Sequence, residues 1–211
     1  MSFCYEEWTP YAYTENGKPT SEIIEQLTSD LQRQSIKSEF YEYPYTRCIL
    51  EVNKGKVDFA LFVDQYEDIK LINSPIANWQ LAVVSTSKVE TKQDFLEKTG
   101  SRVIISNDYA YPDELTLLLG RLNKQVLPTS FFTTNEQETK ALFNLLIENH
   151  AESMVADKVW TQLIIKKHNL PLFVSEWTLT SLPQYIGYSK FTQQNKLDLV
   201  RSTLATWPKI D

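Results

Sequence analysis

The sequence is short of the residues from which most catalytic and cofactor sites are built. Its 211 residues include five glycines, two cysteines, two methionines and two histidines. The glycines stand alone at positions 17, 55, 100, 120 and 187, so no Gly-x-Gly fingerprint or phosphate-cradling loop is present. That excludes the usual nucleotide motifs. His150 and His168 fall at helix ends with no cysteine or carboxylate at ligand spacing, and neither a metal nor a cofactor is expected. No Gly-x-Ser-x-Gly elbow marks a serine nucleophile. Basic residues are in deficit, 21 against 27 acidic for a net charge of −6. Lys166-Lys167-His168, the one basic cluster, reads as a solvated helix end, and a nucleic-acid surface is excluded. Long apolar runs are missing too. The longest, Phe59 to Val63, falls far below the roughly 20 residues that cross a bilayer, and no basic stretch followed by an apolar core opens the sequence, which fits either a cytoplasmic protein or a mature form whose signal was replaced by a start Met.

Aromatic side chains are plentiful: five Trp, eleven Tyr and ten Phe, within a hydrophobic content of 42% that is ample for a packed core. They concentrate in two segments that also hold both cysteines. Phe3-Cys-Tyr-Glu-Glu-Trp-Thr-Pro-Tyr11 reads as a short strand running into an aromatic and proline loop. Tyr45-Thr-Arg-Cys-Ile-Leu-Glu-Val-Asn-Lys-Gly-Lys-Val-Asp58 reads as a short helix that stops at Gly55 and feeds an apolar strand.

A regular alternation runs through the chain. Ser2–Tyr5 is a strand, Asn16-Gly17-Lys18-Pro19 a turn, and Thr20 or Ser21 caps a helix whose apolar face is Ile23, Ile24, Leu27 and Leu31. Ser38–Tyr43 is a second strand. Pro44 opens a helix that carries Cys48, Ile49 and Val52 inward. Val57–Val63, apolar at nearly every position, is a strand buried on both faces. The same β-α-β-α-β order returns. A short helix holds Phe95 and Leu96; a strand follows at Arg102–Ser106 and a helix at Pro112–Leu122. Val126–Thr133 contains another strand. Thr134-Asn-Glu-Gln137 resembles a capping box before a helix through Ile147. A strand at Glu152–Asp157 and a helix at Val159–Lys167 complete the copy. Two such units predict an α/β protein of two lobes, each a mostly parallel sheet flanked by helices. Leu81–Ser85 and Pro171–Tyr188 are the two extended crossovers between them. The expected lobes are residues 1–84 with 185–211, and residues 85–184. A closing helix near Gln193–Trp207 should return to lobe one. Ligands of open α/β sheets lie beyond the carboxyl ends of strands, which here are the segments Glu7–Tyr13, Tyr43–Arg47, Phe62–Tyr66, Ser106–Tyr111 and Asp157.

The order and spacing of six segments resemble the family 3 extracellular solute-binding proteins, with the type 2 periplasmic binding fold. These are Tyr5–Tyr11, Asn16-Gly17-Lys18, Pro44–Ile49, Gly55–Asp58, Ser74-Pro75-Ile76 before the crossover, and Tyr185–Lys190 in the return strand. The resemblance covers essentially the whole chain. It implies a monomeric, non-enzymatic protein of the periplasm, its signal peptide replaced by a start Met. Such a protein captures a small polar solute by hinge closure and passes it to an ABC importer permease or a membrane sensor. A sensory or adaptor module of the same fold is the second reading, and an enzyme resembling cyclohexadienyl dehydratase the third.

Residue by residue, the resemblance places Trp8 as the ligand-stacking aromatic of the first loop and Asp157 as the partner of a ligand amino group. Its carboxylate-clamping Arg is missing: Asp64-Gln-Tyr-Glu-Asp-Ile-Lys70 is acidic instead. This argues against an α-carboxylate anchor and for an amine-bearing solute. Tyr11, Tyr45, Phe62, Tyr109, Arg47 and Asp64 complete the candidate ligand set. Arg47 would brace its loop if it did not face the ligand, and the aromatics would serve lobe packing if they did not stack. Related sequences with a Cys-Tyr-Glu strand and an Arg-Cys-Leu-like helix imply a Cys4–Cys48 disulfide. Two buried free thiols are the alternative.

Overall fold

Apolar residues at strand and helix spacing gather into two compact units, Met1–Trp79 with Leu182–Asp211 and Gln80–Ser181. The computed structural model describes residues 1–65, 69–106, 111–122, 124–129 and 136–208.

The first unit begins with β1 (Ser2–Tyr5), the hairpin β2 (Tyr13–Glu15) and β3 (Lys18–Thr20), α1 (Glu22–Arg33) and β4 (Glu39–Glu42). Next come α2 (Tyr45–Asn53), β5 (Phe59–Val63), β6 (Lys70–Leu71) and β7 (Ala77–Ser85), which leads into the second unit. That unit holds α3 (Lys92–Glu97), β8 (Arg102–Ser106), α4 (Asp113–Arg121), β9 (Gln125–Thr129), α5 (Glu136–Ile147), β10 (Ser153–Asp157), α6 (Lys158–His168) and β11 (Phe173–Val174). The strand β12 (Thr180–Tyr188) returns to the first unit, which α7 (Gln194–Leu204) closes. The fold is mixed α/β, as the alternation predicts.

In the first unit the strand order is β4-β1-β5-β12, with β1 parallel to both β4 and β5, and β12 antiparallel to β5. Burial on both faces explains why all five residues of β5 are apolar and covered. Ser21 starts α1 by accepting the Ile24 N–H at 3.1 Å. From there Ile24, Leu27 and Leu31 turn into a core with Phe3, Tyr5, Phe59, Ile186, Leu197 and Val200. Ile23, expected on that face, is only half-buried at its margin. Asn16 and Gly17 both have positive φ, 51° and 74°, which fits the two-residue turn of the β2–β3 hairpin. α2 ends as its sequence demands. Gly55 sits at φ 72°, its N–H donates to the Val52 carbonyl, and the Lys56 N–H reaches back to Glu51. Cys4 of β1 and Cys48 of α2 are joined by a disulfide in a second cluster with Ile49, Val52, Val57 and Val63.

In the second unit the order is β7-β10-β8-β9, with β8 parallel to β9 and β10 and β7 antiparallel to β10. Its core is Val84, Ile104, Leu142, Phe143, Leu146 and Met154, with Trp160 and Leu170 at the edge. Thr91 and Asp94 form a reciprocal capping box on α3. The box expected at Thr134–Gln137 includes positions outside the described residues.

Candidate functional site

Three candidate aromatics come together in the first unit. The chain leaves β1 at Tyr5 and folds back on itself: Trp8 N–H donates to the Ala12 carbonyl at 2.6 Å, and the Tyr11 and Ala12 N–H groups donate to the Trp8 carbonyl. A cis Thr9–Pro10 bond lies inside this loop. The loop holds the Trp8 and Tyr11 rings 4.2 Å apart, centroid to centroid. Phe62 meets Trp8 edge-on at 5.6 Å and Tyr11 at 6.4 Å. Edge-to-face pairing of this kind uses the positive ring edge against the negative face. The Tyr11 hydroxyl points to the Asn78 carbonyl at 3.5 Å.

Phe62 reaches that position at a cost. Its φ is 58°, a conformation that costs a non-glycine residue about 1–2 kcal/mol. The register explains it: Ala60 pairs with Gly187 and Val63 with Tyr185, so three steps on β5 match two on β12. The extra residue bulges the strand and re-aims one side chain. Phe62 is buried in the core of the first unit, with the half-buried Trp8 and Tyr11 packed against it.

Tyr45 and Arg47 sit on α2 and form a different group. The Tyr45 N–H at the helix start donates to Glu6 Oε1 at 3.0 Å, a negative charge at the positive helix end. Arg47 is exposed and stacks its guanidinium 4.4 Å from the Tyr43 ring centroid. This is the bracing role open to it in the sequence. Asp64 directly follows β5 and is half-buried. Tyr109 lies outside the described residues. Behind the aromatic loop, Tyr5 shares a hydrogen bond with Thr14, which in turn bonds Glu42. Burial, reinforced by the Glu42 charge, raises the Glu7 carboxyl above its usual range.

Asp157 belongs to the second unit. It is the last residue of β10 and the N-cap of α6, and it is wholly buried. One carboxylate oxygen, Oδ1, accepts the Trp160 N–H at 2.7 Å. The other, Oδ2, has no partner among the described residues, nor has the hydroxyl of Thr161 one turn further on. Burial pushes the carboxyl up to about 7, against the opposing pull of the Trp160 and Val159 N–H groups.

Three residues near these positions carry links to which the sequence reading assigned no role. Glu6 was read only as part of a loop. Thr161 lies four residues after the capping Asp, a spacing that could have flagged it as sharing that helix end. Tyr111 accepts the Ser106 N–H at 3.0 Å and donates to the Val155 carbonyl at 2.8 Å, tying β8 to β10 beside Asp157. No local pattern announces that last link. Among the described residues no cluster of His, Cys, Asp and Glu is placed to hold a metal.

No family model matches the sequence, and no curated protein matches it. Solved structures do. An ancestral arginine-binding protein bound to arginine is similar with a TM-score of 0.68 and 16% identity over 97% of this chain and 90% of its own. The second substrate-binding domain of an inferred amino acid ABC transporter from Streptococcus pneumoniae is similar with a TM-score of 0.70 and 12% identity, over 97% and 91%. A histidine kinase sensor domain with similarity to periplasmic binding proteins gives 0.66 and 16%, over 97% and 88%. The chain has the type 2 periplasmic binding protein fold.

Proposed function

We propose that the protein binds a small cationic solute and does not transform it. The observation that carries this reading is the Trp8–Tyr11–Phe62 group, in which a strained strand residue is held against two loop aromatics just beyond β1. An aromatic wall attracts a flat or cationic group by about 0.5–2 kcal/mol per ring, more as water is excluded. Asp157, with its unpartnered oxygen, is the carboxylate proposed to take a cationic group. Arginine is bound by a protein of the same fold, and a guanidinium suits both an aromatic face and a carboxylate. The acidic Asp64–Lys70 stretch, which has no Arg for an α-carboxylate, makes the cationic end of the solute the anchor. The chain passes between its two units through β7 and β12. The Cys4–Cys48 disulfide fits an oxidising envelope compartment.

The test is calorimetry with L-arginine and with agmatine, its carboxylate-free counterpart, alongside native mass spectrometry for retained solute. Trp8→Ala should weaken binding about tenfold through lost stacking. Full affinity in a folded Trp8→Ala protein would remove the aromatic wall from the site. The likeness to a kinase sensor domain supports a second reading, in which the same capture feeds a signal and not an importer. Co-purification with a permease against a kinase decides between them.

A further inference from the structure

Asp157 presents an electrostatic problem that the ligand-free protein must solve. A carboxylate removed from water costs several kcal/mol unless its oxygens are hydrogen-bonded and its charge is paired. Here Oδ1 is committed to the Trp160 N–H, Oδ2 has no partner among the described residues, and the side chain has no exposed surface. Among the described residues the adjoining elements bring little countercharge. β7 faces the strand with Leu81 to Val84 and β8 with Val103 and Ile104, all non-ionisable. β11 contributes Phe173 and Val174. Arg102, at the far end of β8, is paired with Glu152. On α6, Lys158 donates its ammonium to the Glu176 carbonyl, while Lys166, Lys167 and His168 lie at the opposite end. Glu176 itself is paired with Lys88. Tyr111 is occupied by the Ser106 N–H and the Val155 carbonyl.

We infer that the Asp157 carboxyl carries a proton on Oδ2 when the site is empty, and that a cationic solute binds by displacing that proton. This rests on the solute contact proposed above and adds its regulation. The exchange is balanced: the O–H bond of the carboxylic acid breaks, the proton passes to solvent or buffer, and the solute's ammonium or guanidinium N–H takes its place on the oxygen. The rise of the carboxyl to about 7 agrees with the geometry. Capture is then favoured on the alkaline side and release on the acid side. Below pH 7 the apparent affinity should fall about tenfold per pH unit, and above it level off.

The experiment is calorimetric titration of the full chain with L-arginine and with agmatine, in buffers of low and high ionisation heat, between pH 5.5 and 8.5. About half a proton should be released per solute at pH 7, nearly one at pH 5.5 and almost none at pH 8.5. Asp157→Asn, which keeps an N-cap of the same shape, should bind more weakly at pH 8 and with no pH dependence. Wild-type binding whose heat does not depend on the buffer would overturn the proton exchange and leave the solute contact standing. Equal affinity of the Asn variant at pH 8 would overturn the contact itself, and with it the exchange. No heat from either probe would overturn the cationic-solute reading.

Discussion

The Phe191 side chain lies directly over the backbone of Gly55: a Cβ built on the glycine would stand 2.7 Å from Phe191 Cβ and 3.1 Å from its Cγ. Both residues belong to the first unit, one at the end of α2 and the other just before α7. The glycine also needs φ 72° to end the helix. Gly55→Ala should therefore destabilise the protein by about 1–2 kcal/mol from the left-handed backbone alone, and by more where Phe191 has to move. Chemical denaturation measures it. The double change with Phe191→Gly, which removes the Cβ as well as the ring, should recover the steric part, measured against Phe191→Gly alone, and leave the backbone part.

The Cys4–Cys48 bridge joins positions 44 apart in sequence. In the chain-entropy description such a cross-link contributes about 4 kcal/mol by restricting the unfolded chain. Thiol titration of denatured, unreduced protein should find no free thiol. Reduction, or replacement of both cysteines by Ser, should lower the denaturation midpoint of the first unit by a corresponding amount. An unchanged midpoint would refute a stabilising role.

Asp58 accepts from the Ser2 N–H and from Lys196, whose ammonium lies 2.7 Å from Oδ1, so it ties β1 and α7 to the start of β5. Burial pushes its carboxyl up, but the bonds from Lys196 and Ser2 outweigh burial and hold it below the usual value of 3.8. A depressed carboxyl stabilises the fold above its unfolded pKa, and the gain is lost as pH falls through the folded value. The expected loss therefore begins near pH 4 and continues below it. Thermal melting between pH 6 and 2 should show a shallower acid decline in Asp58→Asn than in the parent, together with lower stability at neutral pH.

Asp157 has the opposite sign. Its carboxyl is raised, so it favours the fold at low pH and loses that contribution as pH rises from about 4 to 7. At ~1.4 kcal/mol per unit the change is on the order of 4 kcal/mol. Asp157→Asn cannot ionise and keeps the cap, so it should raise the melting temperature of solute-free protein at pH 8 and have little effect at pH 4. A variant that is more stable yet binds less well would separate a site residue from a packing residue.

Periodicity and end signals, which act over a few residues, were legible in the sequence. The apolar face of α1 and its Ser21 cap follow from local spacing, and so do the Gly55 stop, the continuous apolar β5, and the bounds of β8 and α6. The short strands β2, β3, β6 and β11 were not legible, because two or three residues carry no period and pair only when a neighbour is supplied. The sequence also placed Trp8 and Tyr11 beyond a strand end and Asp157 at one, but it did not reveal what each would touch. That Phe62 adopts a left-handed φ depends on a register shift against β12, a strand more than 100 residues away. Asp157 has one bonded oxygen and one without a partner among the described residues, because α6 starts directly at the end of the buried strand β10 and uses only one of them as its cap. Nothing in the sequence around Lys124 marks it as buried, yet it is, with its ammonium on the Phe95 carbonyl at 2.9 Å and the Ser101 hydroxyl at 2.9 Å. Local chemistry sets which residues form an element. Only the packing of distant elements decides which charges are buried and which bonds are left open.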